Sequence, residues 1–446
     1  MYADSLVQVI ESICLSRHLD DYFQKKRSTD AAYWDTFGVQ APSMYFGSQE
    51  GMFRIFPGRH QSTCGDFDPR LRPWYIAASS GPKNVVLVLD TSGSMQGQRL
   101  ELLKQAVTRV IDTLTVSDRV AIVPFSSTAS VLGDEMGRLL TASATNKGIL
   151  TAAIDSLVAE GSTNFYDALQ HAFNAMNLTI QAELHVPCNS AILFFTDGVM
   201  TEPKGITEQN VTDLVTSRLE TTMKATGKPI LFFTYSISDE SADDVHAFPK
   251  ELACSTQFGV WSKIATVDDI IGSLSSYYRL FTLGLGDGRN KDFVAWVEPY
   301  KFATGNVLGT TISAPVYDRS VEPPLFVGAV GIDVTLGVNS GIQDSIDRIV
   351  RASTARCPTL NLTLCELESY RRQSATGNSS MCFVGNCSAS DFVQVEATKC
   401  VSVSDYASNV WANTNYEGKS YAVSVTCDVP WTACQQQAVN ILLTLY

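Results

Sequence analysis

Two kinds of hydrophobic pattern divide the chain. Asn84-Val-Val-Leu-Val-Leu-Asp90 is an unbroken apolar and β-branched run, as expected of a strand covered on both faces in a parallel sheet. Beyond it Leu100, Leu103, Val107, Val110 and Leu114 recur at steps of three and four, which predicts a helix with one apolar stripe. Further strand-like runs lie at Val120–Phe125, Ala191–Phe195 and Ile230–Tyr235, with helical stretches around 147–157, 166–176, 211–223 and 243–252. Strands alternating with helices predict βαβ units and a doubly wound parallel sheet of the α/β class. Ligands bind such a sheet at the carboxyl ends of its strands.

The flanks carry a different pattern. Ser43–Phe56 holds two β-rich runs around Glu50-Gly51, a hairpin signature. A second β-rich block, 306–334, contains Val307–Ile312 and Leu325–Ile332 separated by a Pro-rich turn. Neither flank is large enough to close a core alone, so the two are expected to pair. The α/β domain then becomes an insertion between the halves of one mixed-sheet, α+β domain. The expected boundaries are 1–81 for an N-terminal helix and the first half, 82–280 for the α/β domain, 281–350 for the second half and 351–446 for a tail.

That tail is rich in cysteine. Seven of the 11 cysteines (Cys357, Cys365, Cys382, Cys387, Cys400, Cys427 and Cys434) fall there, which predicts a small disulfide-stapled module outside the cytosol. Cys188 and Cys254 are expected at the amino ends of strands, either bridged to each other or as buried thiols. Cys14 and Cys64 are expected to pair with each other or with the tail. Five N-x-S/T sequences, at Asn177, Asn210, Asn361, Asn378 and Asn386, fit the secretory route. Met1–Leu19 lacks the basic and apolar segments of a leader peptide, and no run of about 18 apolar residues marks a membrane span. The expectation is a piece of a longer extracellular or cell-surface protein, with no membrane anchor in this stretch.

Charge narrows the partners. With 33 Lys and Arg against 46 Asp and Glu, the formal net charge is -13, which disfavours nucleic acid and anionic lipid and is compatible with cation binding. The five histidines are scattered and form no HExxH, which excludes a common zinc hydrolase arrangement.

The clearest chemistry sits at three predicted strand ends and loops. Asp90-Thr-Ser92-Gly-Ser94 stands where the first strand ends and a helix begins. Gly161-Ser-Thr163-Asn precedes a second helix, and Thr196-Asp197-Gly198 follows the strand 191–195. All three fall on one edge of a doubly wound sheet, where two carboxylates and three hydroxyls can converge on a hard cation. Oxygen-only ligands suit Mg²⁺, Ca²⁺ or Mn²⁺, and few direct carboxylates favour Mg²⁺. A lone Asp-Thr-Ser-Gly-Ser would be a polar turn capping a helix; the matching Thr163 and Asp197 set it apart. Ser94 lacks the Gly-x-Ser-x-Gly elbow of a hydrolase nucleophile, and a non-enzymatic role is expected.

This set resembles the metal-ion-dependent adhesion site of von Willebrand factor type A domains. The resemblance implies that Ser92, Ser94 and Thr163 bind the metal directly, while Asp90 and Asp197 act mostly through water. An ion with mainly neutral ligands stays electrophilic and seeks a carboxylate from a partner.

A second motif, Arg72-Pro-Trp74-Tyr75, lies just before the first strand, and Gly328-Ala-Val-Gly-Ile-Asp333-Val lies in the second flank. Together they look like a Cache fold wrapped around a type A domain, an arrangement similar to the alpha-2/delta auxiliary subunits of voltage-gated calcium channels over roughly 43–334. The resemblance implies a pocket for an amino acid or amine. Arg72 and Trp74 would meet its carboxylate, Asp333 its ammonium, and Tyr300 would line it. Phe67 and Phe302 replace a tyrosine and an acidic residue of the family pattern. The same Arg72 and Trp74 also read as an arginine packed on an aromatic core. The leading expectation is therefore an extracellular auxiliary subunit. Its metal would dock an Asp or Glu of a membrane protein, a calcium channel pore subunit being the implied partner. A Cache-type sensor and a metal-dependent adhesion protein are the alternatives.

Overall fold

The computed structural model describes residues 12–29 (without Leu15 and His18), 43–58, 68–182, 189–201, 203–238, 244–256, 258–267, nine positions between 270 and 286, 288–297, 299–301, 308–319 and 324–335. The cysteine-rich tail, Cys64, Cys188, Phe67 and Phe302 fall outside them. The described residues form two compact units, one of 80–290 and the other of residues before 80 and after 290.

In chain order the elements are α1 Leu19–Thr29, β1 Met44–Ser48, β2 Phe53–Phe56, α2 Pro73–Ser80, β3 Lys83–Asp90, α3 Gln98–Thr113, β4 Arg119–Phe125, β5 Leu140–Thr141, α4 Ala144–Asp155 and α5 Phe165–Ala182. They continue with β6 Asn189–Thr196, α6 Glu208–Thr226, β7 Ile230–Ile237, α7 Asp244–Cys254, β8 Gly259–Ile264, β9 Ala295–Trp296, β10 Tyr300–Lys301, β11 Leu308–Asp318 and β12 Leu325–Thr335. Among the described residues no helix is long and apolar enough to cross a membrane.

The inner unit is the expected doubly wound sheet, in the order β5-β4-β3-β6-β7-β8. All its pairs are parallel except β4 with the short β5. Strands β3, β6 and β7 are buried along their whole length, which is why they read as continuous apolar runs rather than alternating ones. Val86 and Val88 of β3 pack with Phe125, Phe165, Phe194 and Phe173 on one face of the sheet. Phe165 of α5 meets Phe194 of β6 edge to face, with ring centroids 5.1 Å apart. Each such side chain contributes about 1.5–3 kcal/mol of burial. Strand order reverses between β3 and β6, since β4 lies on one side of β3 and β6 on the other. A crevice opens at such a switch point, outside the carboxyl ends of the two strands.

In the outer unit the order is β10-β11-β12-β1-β2, with β9 also pairing β11. The β1–β2 hairpin and the β11–β12 hairpin join through β1 and β12, Met44 opposite Ile332 and Ser48 opposite Gly328. The two flanks thus share one sheet. Every pair among its described strands is antiparallel, so the expected mixed sheet is corrected: β1–β2 and β11–β12 pair as antiparallel neighbours, and β1 joins β12 antiparallel as well. Helix α1 packs Leu19 and Phe23 against Met44, Phe46, Met52, Val316 and Val330 of this sheet. Cys14 and Cys254 are both disulfide-bonded.

Candidate metal centre

Asp90 is the last residue of β3, and its carboxylate shapes the loop that follows. Oδ1 accepts the Ser92 N–H at 2.9 Å, and Oδ2 accepts the Thr196 hydroxyl at 2.7 Å from the end of β6. Thr91 ties the same loop to β4, since its N–H and its hydroxyl both donate to the Phe125 carbonyl at 2.8 Å. Met95, fully buried, anchors the short turn between this loop and α3. The outcome is a Ser92 Oγ to Ser94 Oγ distance of 3.0 Å, with Ser92 buried and Ser94 exposed.

The Thr163 loop docks onto the serine loop through backbone. Gly93 N–H donates to Gly161 O at 3.0 Å, and Glu160 N–H to Thr91 O at 2.8 Å. Gly161 holds φ +81°, and a Cβ there would stand 2.9 Å from Ser127 Oγ, so glycine serves both the turn and the close approach. On its other side Thr163 N–H donates to Thr201 Oγ1 at 2.8 Å, and Thr201 N–H returns to Thr163 O at 3.0 Å. Thr201 belongs to the loop that carries Asp197. All three loops are therefore bonded into one edge at the switch point.

Both carboxylates are buried, Asp90 completely and Asp197 to 4% exposure. Burial pushes the Asp90 carboxyl up to about 6; hydrogen bonds from Ser92 and Thr196 pull it down, and the Asp197 charge adds repulsion. Arg99 Nη1 stands 3.1 Å from Asp197 Oδ2. Among the described residues Asp197 Oδ1 and the Thr163 hydroxyl have no hydrogen-bond partner. Unspent oxygens on buried residues, beside two serine hydroxyls, are what a hard divalent cation takes. The residues fit such an ion. The described residues contain no cluster of three or more His, Cys, Asp or Glu able to hold a metal, so hydroxyls must supply most of any ligand set. Thr196 was quoted beside Asp197 but given no role, and Arg99 and Thr201 were not foreseen, since nothing in the sequence marks them.

In the outer unit, β1, β11 and β12 bring a second polar group together. Tyr45 OH donates to Asp333 Oδ1 at 2.5 Å, and Thr311 Oγ1 reaches the same oxygen at 2.8 Å. Tyr300 OH lies 2.7 Å from Thr311 Oγ1. Burial pushes the Tyr45 and Tyr300 phenols above their ordinary pKa and so keeps them protonated; the Asp333 charge adds to both, while the Arg72 charge acts on Tyr300 in the opposite sense. Trp74 is buried, edge-on to Tyr45 at 4.7 Å, and its carbonyl accepts the Ser313 hydroxyl at 2.8 Å. Arg72, Tyr300 and Asp333 thus share one electrostatic neighbourhood, with Trp74 packed beneath Tyr45. Tyr45 and Thr311 were missed; within a hairpin and a strand they read as ordinary β residues.

A family model described as von Willebrand factor type A domain matches residues 85–199. With the sheet topology, this defines the class: the inner unit is a von Willebrand factor type A domain. Over about two thirds of its length the chain is similar to alpha-2/delta subunits of voltage-dependent calcium channels. It is 31% identical over 308 residues to the voltage-dependent calcium channel subunit alpha-2/delta-3 of Rattus norvegicus, covering 65% of this chain and 26% of that protein. Against the human alpha-2/delta-2 subunit the identity is 28% over 353 residues, 75% of this chain and 28% of that protein. The chain spans about a quarter of the length of these curated relatives. Among solved structures, a von Willebrand factor type A protein from Catenulispora acidiphila superposes with a TM-score of 0.33 at 16% identity, covering 58% of each chain.

Proposed function

We propose that the inner unit holds one divalent cation, Mg²⁺ before Ca²⁺ or Mn²⁺, through Ser92, Ser94 and Thr163 with Asp90 and Asp197 behind them. It presents that ion to an Asp or Glu of a membrane-protein partner. On this reading the chain is the metal-bearing part of a non-enzymatic, extracellular auxiliary subunit of the alpha-2/delta kind, and the partner is a calcium channel pore subunit. The observation that carries it is the bonding of three loops, distant in sequence, into one edge bearing five oxygen-bearing side chains. When bound there, the ion would supply Lewis acidity toward a carboxylate oxygen, because most of its protein ligands would be neutral. The protein's own part is to hold Asp90 and Asp197 dry and to aim the hydroxyls.

Mn²⁺ titration of the wild type and of a Ser92→Ala/Ser94→Ala variant tests the site. Binding by the wild type and none by the variant is expected; a variant that still binds would overturn the assignment. A Mg²⁺-dependent, chelator-reversible pull-down of a channel pore subunit then tests the partner. Recovery of a matrix protein in its place gives the adhesion reading.

A second reading concerns the outer unit and rests on the Tyr45–Thr311–Asp333–Tyr300 network beside Arg72. A half-buried carboxylate and a guanidinium within one polar group suit the two ends of an amino acid. A thermal-shift screen of free amino acids is expected to find one that raises the melting point of the wild type and not of Arg72→Ala. Silence across the screen would remove this reading.

A further inference from the structure

The metal edge already contains a cation of its own. Arg99, in the first turn of α3, places Nη1 3.1 Å from Asp197 Oδ2 and 3.4 Å from the Ser94 carbonyl. Its side chain is 27% exposed against 3% for Asp197, so the guanidinium, not the carboxylate, is the member able to withdraw into water. Asp197 has no other hydrogen-bond partner among the described residues, and its charge bears on Asp90. Two carboxylates buried close together are costly without a counter-charge, and in the metal-free protein this arginine is placed against Asp197 to supply one.

A divalent ion entering the same edge is drawn by the same carboxylate. Two cations crowded onto one carboxylate repel, and the repulsion is strong where water is largely excluded. One must leave, and the exposed one can. We infer that Arg99 is an internal competitor for the metal: it holds Asp197 while the site is empty and gives it up when a divalent ion binds. This inference rests on the metal reading above and assigns a residue that reading does not use. Its consequence is a threshold. A monovalent ion would only exchange one unit of charge for another, whereas a doubly charged ion gains by displacing the arginine.

Arg99→Met, which keeps the apolar stem and removes the charge, tests this in the full chain with Mn²⁺ as the probe. Isothermal titration is expected to show binding tightened about three- to tenfold, the range set by the loss of a half-buried ion pair in the metal-free state. Urea unfolding supplies the second readout. The variant should unfold at lower urea than the wild type in chelator, and at the same urea when saturated with Mn²⁺. Arg99→Lys, which keeps a charge within reach of Asp197, should bind more nearly as the wild type does. Weaker or unchanged Mn²⁺ binding by Arg99→Met overturns the inference, as does an equal loss of stability with and without metal, which marks a merely structural arginine. If the wild type binds Mn²⁺ and these outcomes follow, the metal site stands without the competitor. If neither protein binds Mn²⁺, site and competitor fall together.

Discussion

Lys83 and Asp118 occupy the amino end of the inner sheet, opposite the edge that carries Ser92, Thr163 and Asp197, and both are buried. Lys83 Nζ stands 3.1 Å from Asp118 Oδ2 and donates to Ser80 Oγ at 2.9 Å. Asp118 receives more: the Lys83 N–H, the Thr115 N–H at 2.7 Å and the Thr115 hydroxyl. The two partners are therefore not equivalent. Asp118→Ala leaves an ammonium in the core with one serine hydroxyl, and should cost about 3–5 kcal/mol, the range for breaking a buried pair. Lys83→Met leaves the carboxylate with backbone and hydroxyl donors and should cost clearly less. Urea denaturation of the two variants checks the order, and a Lys83→Met loss as large as that of Asp118→Ala would refute it. Nothing in the sequence marked this pair, because charge pairing across 35 positions leaves no local pattern. The oxygen set at the opposite edge was legible because each member stands next to a strand or helix boundary that the hydrophobic runs had already located.

At the level of elements, legibility follows burial. β3, β4, β6 and β7 were readable because strands covered on both faces are apolar throughout, and α3 because its stripe recurs at helical spacing. β8 was not read. Its sequence Gly-Val-Trp-Ser-Lys-Ile carries polar residues because it is the last strand of the sheet, with a ladder partner on one side only. β5 has two residues, too few to give any periodicity. The antiparallel register of the outer sheet also escaped, for a different reason. Hairpin signals fix the pairing within β1–β2 and β11–β12, but the direction in which two distant hairpins join depends on contacts far apart in sequence. Gly331 records that join: a Cβ at this position would stand 2.3 Å from the Tyr45 ring, so the Tyr45–Asp333 bond needs glycine opposite β1.

For the molecule as a whole, the decisive feature is that β1 has one ladder partner from each side of the inner unit in sequence: β2 before it and β12 after it. The outer sheet cannot be completed until the chain beyond residue 290 exists, whereas every strand of the inner sheet lies between 83 and 264. Truncation after Asn290 removes β9 to β12 and leaves the β1–β2 hairpin with α1, and an isolated two-stranded hairpin is at best marginally stable in water. The inner unit keeps its six strands and its own core of β3, β4, β6 and α5 side chains. Hydrogen exchange on the truncated chain should therefore show β3, β6 and β7 amides still strongly protected and β1 and β2 amides exchanging as in an unfolded segment. Protection of β1 in the truncated chain would mean that the hairpin needs no partner from the far side, and the two flanks would then be separate folding elements rather than halves of one sheet. Loss of protection in β3 would mean that the α/β unit depends on the sheet that encloses it in sequence.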